Sequence, residues 1–303
     1  MSNNSMTTAE NSMREAAAKL LGANTVDCII GFENGSRPQT SRPVFVRNAT
    51  DVQKLVWNEW CVANLAAFLP RLFERPARPR DDYKAPRVGI VAKGCDGRSV
   101  AGLVKEKQLP RENLVIIGMP CRGMRTGPKG DLARACVECV APAVIAPDIT
   151  IGGESRIAAD AAYSRIREFA EKSSPERWQI FTEEISRCIR CNACREACPN
   201  CYCKVCFADQ RKPAWVTPAP ALSDVMVYHL GRMFHQAGRC VECDACVNAC
   251  PMGIDLRLFT QKLAQDSGEL FGCVPGITGE DAPPLMTFKQ DDSECFITNP
   301  EEK

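Results

Sequence analysis

The sequence predicts an α/β domain with a small parallel sheet, followed by a smaller α+β domain that is rich in cysteine. The apolar segments RVGIVAK (87–93) and LVIIGM (114–119) flank a helical pattern at 98–107, and together they predict a parallel βαβ unit. The chain has 303 residues, which is enough for about two domains. Its 19 cysteines are concentrated between Cys188 and Cys250.

Local patterns predict the remaining elements of the first domain. An apolar period that opens with a capping box at Thr50 and Gln53 predicts one helix running to about Phe73. Periodicity and turn residues predict the others. These are a helix at 9–21, a buried strand at 25–31, a loop at 34–42, a loop with a short strand at 141–153, and a helix at 156–171.

The domain boundary is predicted near residue 175. Ser174 and Pro175 open a helix that runs into Cys188, and beyond it the chain becomes rich in cysteine. We therefore expect one domain at 1–174 and a second at 175–270. A C-terminal extension at 271–303 follows them.

Composition and charge exclude several classes of protein. Every apolar run is shorter than the roughly 20 residues needed to cross a bilayer, so we do not expect a membrane-spanning chain. Lys and Arg total 38 against 37 Asp and Glu, and this balance predicts no nucleic-acid partner. The polar start of the chain lacks the features of a secretory signal, which predicts a cytoplasmic protein.

The number and kind of potential ligands favour metal binding by sulfur. An odd cysteine count in a reducing compartment argues against a framework of disulfides. His229 and His235 are the only histidines in the chain, which argues against zinc fingers of the mixed Cys/His type. Thiolate ligation is therefore the expected use of the cysteines.

Two copies of the motif C-x2-C-x2-C-x3-C-P are the most specific signal in the sequence. In each copy, three closely spaced thiolates suit three corners of one 4Fe-4S cubane, and the fourth cysteine points to the neighbouring cluster. Zinc ribbons, the alternative, pair cysteines two by two and do not use four-cysteine runs ending in Pro. The first copy holds Cys188, Cys191, Cys194 and Cys198, and the second holds Cys240, Cys243, Cys246 and Cys250.

Ligation is expected to be crossed between the two motifs. The three-cysteine loop closes around one cubane, while the next helical turn carries the fourth sulfur away toward the other cluster. The Pro after each fourth cysteine then ends the helix. The prediction is one cluster on Cys188, Cys191, Cys194 and Cys250, and a second on Cys240, Cys243, Cys246 and Cys198.

Residues 187–265 resemble the two-cluster domain of bacterial-type ferredoxins. The segment CPMGID at 250–255 is also similar to the cluster modules of heterodisulfide reductase C subunits. The resemblance implies an α+β ferredoxin-like domain that carries electrons between protein partners.

Three further cysteines, Cys201, Cys203 and Cys206, lie between the two motifs in a linker longer than that of a minimal ferredoxin. They suit a further cluster with a distant fourth ligand such as Cys273, a partner-facing surface, or free thiols. Spacing does not identify the fourth ligand, so these alternatives stay open.

Four cysteines of the first domain are candidates for one more site. Cys95 and Cys121 each follow a strand of the βαβ unit, and the carboxyl ends of adjacent parallel strands lie on the same edge of a sheet. Cys136 and Cys139 add a C-x2-C pair. Spacing alone leaves a cubane, a zinc site, a redox dithiol and buried structural cysteines as alternatives.

A resemblance favours the cubane. The segments VGIVAKGC (88–95), IGMPC (117–121), CVEC (136–139) and APDITIG (146–152) resemble the beta-subunit family of deazaflavin-coenzyme-reducing hydrogenases and formate dehydrogenases. The resemblance extends over about residues 15–153. In that family four such cysteines hold a 4Fe-4S cluster beside FAD. It therefore implies a third cluster, whose ligands are Cys95, Cys121, Cys136 and Cys139.

FAD is an alternative cofactor that the same resemblance suggests. The segments between Cys121 and Cys136 and between Gly153 and Cys188 are shorter than in flavin-bearing members of that family. The sequence also contains neither G-x-G-x-x-G nor a Walker A motif. Arg122, Arg125 and Lys129 are candidates to face a flavin phosphate or an acidic partner, and a solvated loop is the other interpretation.

Three clusters without a recognisable catalytic constellation predict an electron-transfer subunit of an anaerobic redox complex. The resemblances imply that it passes electrons between a flavin or heterodisulfide-reductase-like subunit and a formate dehydrogenase or hydrogenase. The alternative is a catalytic FAD-containing subunit that reduces a deazaflavin or nicotinamide-like coenzyme. A cluster-based sensor is disfavoured, because the near-neutral chain offers no basic effector surface.

Overall fold

The computed structural model describes residues 2–76, 83–156, 163–277 and 284. Its strands are β1 (Cys28–Asn34), β2 (Ser41–Val46), β3 (Val88–Ala92), β4 (Leu114–Gly118), β5 (Arg125–Thr126), β6 (Asp131–Leu132) and β7 (Ile149–Thr150). Its helices are α1 (Ser2–Gly22), α2 (Leu69–Leu72), α3 (Gly94–Lys105), α4 (Arg134–Val137), α5 (Ser164–Ala170), α6 (Ser174–Ser186), α7 (Ala193–Glu196), α8 (Leu222–His235), α9 (Ala245–Asn248) and α10 (Leu256–Phe271).

A five-stranded, mostly parallel sheet organises the first half of the chain in the order β2-β1-β3-β4-β7. Strands β1, β3, β4 and β7 run parallel, and β2 is an antiparallel edge strand. The predicted βαβ unit is therefore confirmed as β3-α3-β4, with Ala92 opposite Gly118 at its carboxyl end. All five residues of β3 are buried, as is typical of a parallel strand covered on both faces.

Two details of the predicted sheet are wrong. Strand β1 lies three residues later than predicted, and the segment 34–42 is not all loop, because β2 begins at Ser41. Pro43 hides this strand in the sequence, since Pro disfavours central strands. It is accommodated here because β2 is an edge strand, where Pro43 lies opposite Phe32.

The predicted helix from Thr50 to Phe73 is also wrong. The chain forms a 3-10 turn at Ala49–Lys54, irregular backbone, a second 3-10 turn at Leu65–Phe68 and then α2. Tertiary partners take the backbone N–H groups: Val56 N donates to Phe32 O over 2.8 Å, and Leu65 N donates to Asp96 Oδ1 over 2.7 Å. These long-range hydrogen bonds override the local helical period.

Three apolar clusters stabilise the described chain, and two of them are large. The first packs α1 and the sheet together, with Met13, Ala17 and Ile90 fully buried. The second lies among the later helices, where Ile166, Phe181 and Phe259 pack together. Burying each large side chain of this kind contributes about 1.5–3 kcal/mol. No helix in the described ranges combines the length and the apolar character that a membrane crossing needs.

The N-terminus of α3 packs against the chain that follows Cys139. A Cβ added to Gly94 would lie 2.0 Å from Ala141 O and 2.8 Å from the backbone of Pro142. Only glycine permits this approach, which brings the carboxyl end of β3 to the C-x2-C segment.

We predict that Gly94→Ala lowers the free energy of unfolding by about 1–3 kcal/mol, because the added methyl group meets rigid backbone. Gly102→Ala, in the same helix, is the matched control: nothing lies within 4 Å of its added Cβ. It should raise stability by about 0.5–1 kcal/mol. Denaturation midpoints of the two variants test this, and equal midpoints would contradict it.

Candidate metal centres

The four first-domain cysteines line one small cavity at the carboxyl end of the sheet. Cys95 is in the first turn of α3, and Cys121 follows β4. Cys136 lies in α4, and Cys139 follows shortly after it. All four border a cavity of about 50 Å³, here named the Cys95 quartet site. The structure therefore brings together the residues that strand topology and the C-x2-C pair suggested.

Backbone and side-chain hydrogen bonds hold this quartet in place. The N–H of Met124 donates to Cys136 Sγ over 3.2 Å, and the N–H of Cys121 donates to Ser155 Oγ over 3.1 Å. Arg156 Nη1 donates to the carbonyl of Cys136 over 2.8 Å. The loops that carry the cysteines are therefore tied to one another beside the cavity.

A buried ion pair lies between the sheet and the Cys95 quartet. Lys93 Nζ is 2.9 Å from Asp96 Oδ2, and both side chains are almost fully buried. Burial opposes the charge on Lys93, but Asp96, Cys95 and Cys121 outweigh it and hold the pKa of Lys93 above its ordinary value. Lys93 also lines the quartet cavity. It therefore places a permanent positive charge beside these sulfurs.

The two ferredoxin-type motifs exchange their fourth cysteines in space. The Cys188 quartet (Cys188, Cys191, Cys194 and Cys250) lines one cavity of about 20 Å³. The Cys240 quartet (Cys240, Cys243, Cys246 and Cys198) lines another of the same size. Each cavity thus takes three sulfurs from one motif and the last sulfur from the other.

Two of the three quartet sites adjoin each other. Cys243 lines both the Cys95 quartet cavity and the Cys240 quartet cavity, together with Val241, Glu242 and Arg257. The region where these two cavities meet is here named the seam. Arg98 of α3 reaches across it, with Nη1 donating to Val241 O over 3.2 Å. The Cys95 quartet and the second motif therefore meet at their cysteines.

Buried ion pairs hold the two sides of the seam together. Arg257 is 3.1 Å from Glu138 Oε2 and 3.3 Å from Asp244 Oδ1. The N–H of Ala135 donates to Asp244 Oδ2 over 3.1 Å. Burial raises the pKa of Asp244 to about 6 despite the nearby Arg257. Removing the guanidinium would leave two carboxylates poorly solvated, which is costly in a buried site.

Burial makes several of the quartet thiols hard to ionise. It raises the pKa of Cys121 to about 11 and that of Cys240 to about 12. Their charged forms therefore need nearby cations. Lys93 supplies one beside the Cys95 quartet, and Arg232 supplies another between the two motifs.

Arg232 of α8 is a buried cation with sulfurs of both motifs around it. Its side chain is only 5% exposed, and Nη2 donates to Cys194 O over 2.8 Å. Burial opposes its charge, but Cys201, Cys194, Cys198 and Cys246 hold its pKa well above the ordinary value. Each motif's quartet thus has four sulfurs and a buried cation nearby. This combination fits a cluster whose thiolate ligands are negatively charged.

His229 contacts the Cys188 quartet directly. Its Nε2 lies 3.3 Å from Cys188 Sγ, and the ring is almost fully buried. Burial, together with the charges of Arg232 and Arg190, lowers the pKa of His229 to about 3, so the imidazole is neutral at physiological pH. A neutral ring with its hydrogen on Nε2 donates to the sulfur.

The three linker cysteines do not share a cavity with Cys273. Cys201, Cys203 and Cys206 line a larger cleft, which Cys198 also borders and Cys273 does not. No described cysteine forms a disulfide. Across residues 2–76, 83–156 and 163–277, no three or more His, Cys, Asp or Glu side chains are grouped so as to hold a metal ion. A single ion needs such a close group of ligands, whereas a four-iron cubane is bound at its corners by sulfurs that stand apart around it.

The surroundings of the Cys95 quartet do not fit a flavin. The cavity of about 50 Å³ is far smaller than the several hundred Å³ typical of cofactor pockets. Arg122, Arg125 and Lys129 do not line it. Arg122 instead pairs with Glu154, and Arg125 donates to Gly130 O.

Sequence reasoning missed the charged and polar groups around the sulfurs. Lys93 and Asp96 flank Cys95 in the sequence, so their adjacency was a usable signal. Arg232, His229 and Arg257 had none, because they reach the quartets from α8 and α10, which are not part of either motif. Only packing reveals them.

We predict that His229→Phe lowers the reduction potential of the centre held by the Cys188 quartet, because donated hydrogen bonds stabilise the more negative, reduced state. A net hydrogen-bond energy of about 0.5–1.5 kcal/mol corresponds to roughly 20–60 mV for one electron. EPR-monitored redox titration measures the shift. His235→Phe, on the exposed side of the same helix, is the control, and equal potentials in both variants would refute the role of His229.

Comparison with known proteins gives a partial match to an oxidoreductase subunit. Over 123 residues the chain is 28% identical to "F420-dependent formate dehydrogenase subunit beta" of Methanocaldococcus jannaschii. The match covers 40% of this chain and 30% of that protein. No family model matches the chain. The chain is thus similar, over part of its length, to a beta subunit of a formate dehydrogenase.

Proposed function

We propose that the chain is an iron-sulfur electron-transfer subunit of an anaerobic oxidoreductase complex. The observation that carries the proposal is the grouping of twelve cysteines into three quartets, each bordering one cavity. Four cysteine thiolates are what holds a 4Fe-4S cubane. The second domain would then be ferredoxin-like, with its boundary near residue 175.

The clusters would supply one-electron redox chemistry, and the chain's own residues would set its conditions. The quartet cysteines would hold the irons. Lys93 and Arg232 would offset the negative charge of the thiolates, and His229 would donate to a ligand sulfur. Each of these interactions favours the reduced state and so raises the potential.

The arrangement supports an electron path across the domain seam. The Cys95 and Cys240 quartet cavities share Cys243 on their borders. Helices α7 and α9, each from one of the two motifs, pack against each other. Electrons would pass between the Cys188 and Cys240 clusters inside the second domain and reach the Cys95 cluster through the seam.

The proposed partners are the other subunits of a redox complex. Similarity to a protein named as a formate dehydrogenase beta subunit supports a formate dehydrogenase as one partner. A hydrogenase and a heterodisulfide-reductase-like or flavin subunit are the other candidates. The chain would then work in the cytoplasm as part of a hetero-oligomer.

We predict roughly twelve iron atoms per chain in anaerobically purified protein, from three four-iron clusters. Cys95→Ser should lower this to roughly eight, because it removes one ligand of the first-domain cluster while the ferredoxin-type signals persist. Iron and sulfide analysis with EPR measures both. Zinc in place of iron, or loss of every cluster in Cys95→Ser, would contradict the proposal.

We also predict that Cys198→Ser disturbs the cluster of Cys240, Cys243 and Cys246 before that of its own motif. The reason is that Cys198 borders the Cys240 quartet cavity and not the Cys188 quartet cavity. Reduction potentials from an EPR-monitored redox titration should distinguish the two clusters. Cys206→Ser, in the linker that follows Cys198, is the matched control, and an unchanged Cys240 cluster in Cys198→Ser would rule out crossed ligation.

A further inference from the structure

A further cysteine pair overlaps the end of the first ferredoxin-type motif. The chain reads CPNC at 198–201, so Cys198 also begins a C-x2-C pair with Cys201. The N–H of Cys201 donates to the carbonyl of Cys198 over 3.1 Å, which closes a tight turn. The first and last Cα atoms of such a turn lie less than about 7 Å apart, and disulfides join Cα atoms about 4.4–6.8 Å apart. The backbone of this pair therefore suits a disulfide.

The two sulfurs of the pair contact the same side chain. Gln236 is buried; its Oε1 accepts from Cys198 Sγ and its Nε2 donates to Cys201 Sγ, each over 3.6 Å. The two thiols also hydrogen-bond to each other. Asn200 Nδ2 donates to Arg239 O over 2.8 Å, which holds the middle of the turn in place. Joining the two sulfurs therefore needs no rearrangement of the surrounding chain.

Cys198 and Cys201 differ in the cavities that they border. Cys198 lines the Cys240 quartet cavity, whereas Cys201 does not. Both line the large cleft beside the linker, which has a volume of about 750 Å³. Small molecules can reach both sulfurs from this cleft, but only Cys198 is placed to bind the cluster of the Cys240 quartet.

A second C-x2-C pair in the linker lacks this geometry. Cys203 and Cys206 line the same cleft at the same spacing. Within the described part of the chain, however, the N–H of Cys206 does not donate to the carbonyl of Cys203, so no equivalent turn is closed. Cys203 is therefore a suitable comparison for Cys201: it is a neighbouring thiol in the same cleft without the turn.

We propose that Cys198 and Cys201 are a redox-sensitive modification site, at which a disulfide forms when the cluster of the Cys240 quartet is lost. This inference rests on the proposed function, because it takes Cys198 as a ligand of that cluster. A cluster ligand is a thiolate, so one sulfur cannot bind iron in this way and belong to a disulfide at the same time. While the disulfide lasts, the Cys240 quartet has three ligands instead of four.

The oxidant of this step is molecular oxygen. Forming the S–S bond breaks two S–H bonds and releases two electrons and two protons. One O2 molecule accepts both electrons and both protons and becomes hydrogen peroxide. Dithiothreitol reverses the change by thiol–disulfide exchange: it becomes a cyclic disulfide, and both cysteine thiols are restored. The cleft gives O2 and dithiothreitol access to the pair.

Peptide mapping of the full chain tests this inference. Cleavage after Arg195 and Tyr202 releases residues 196–202, whose only cysteines are Cys198 and Cys201. In anaerobic, cluster-loaded protein that is denatured and alkylated, both thiols of this peptide should be labelled. After exposure to air the peptide should be lighter by two hydrogen atoms and closed to the label, in step with the loss of the EPR signal of the Cys240 cluster. Dithiothreitol should restore labelling.

Two single substitutions separate the pair from its neighbours. Cys203→Ser is the matched control and should form the disulfide as the unaltered chain does. Cys201→Ser should keep roughly twelve irons in anaerobic protein, because Cys201 is not a ligand, and should lose the disulfide in peptide 196–202. Roughly eight irons in Cys201→Ser would overturn the inference, since that result would identify Cys201 as a ligand. Mapping of the unaltered chain decides the matter if Cys201→Ser does not fold.

The mapped bonds and the iron content give the contradicting results. Free thiols at Cys198 and Cys201 after the Cys240 signal has gone, or a disulfide from Cys198 to Cys203 or Cys246, would overturn the inference. Iron analysis of every sample distinguishes this failure from failure of the proposed function. Roughly twelve irons before exposure to air, with no disulfide after it, overturns only the modification site. A Cys240 quartet without iron in anaerobic protein overturns the proposed function itself.

Discussion

The burial of cysteine sulfur against fixed positive charge is the constraint on which the rest of this molecule depends. Buried thiols ionise poorly, and burial raises the pKa of Cys121 to about 11. Lys93 stands beside the first-domain sulfurs and Arg232 between the two motifs. Each cation carries its own desolvation cost, which a carboxylate offsets for Lys93 and cysteine sulfurs offset for Arg232. The buried cations stabilise this arrangement most when the sulfurs are held as thiolates.

The same constraint explains why the Cys95 quartet and the second motif meet where they do. The second motif places Cys243 at the cavity of the first-domain cysteines, and Arg257 ties that loop to Glu138. A seam made of apolar side chains would join these two parts of the chain as well, but it would separate the sulfurs by a layer of packing. Buried ion pairs are weak sources of net stability and strong sources of positional specificity in some systems. Here they fix the spacing between quartets, which is what an electron path requires.

The sequence predicted the parts of the fold that follow from local pattern and short spacing. The βαβ unit, the crossed grouping of Cys198 and Cys250 and the convergence of Cys95 with Cys121 all rest on such patterns, and the structure brings these residues together. The prediction of a long helix after Thr50 was wrong because Phe32 and Asp96 accept hydrogen bonds from backbone N–H groups of this segment. These contacts join segments that are distant in sequence. The positions of His229, Arg232 and Arg257 beside the quartets were not predicted, because they too depend on contacts between distant segments. The cleft lined by Cys201, Cys203 and Cys206 was equally hidden, since residues from distant parts of the chain line it.

The most direct test of this account is diffraction at the iron absorption edge from crystals of anaerobically purified protein. Anomalous density should appear in three places, within the cavities of the Cys95, Cys188 and Cys240 quartets. Each should be bonded by four sulfurs, with Cys198 and Cys250 exchanged between the motifs. Iron density at Cys201, Cys203 and Cys206 in place of one quartet, or Cys198 bonded to the same cluster as Cys188, would contradict it.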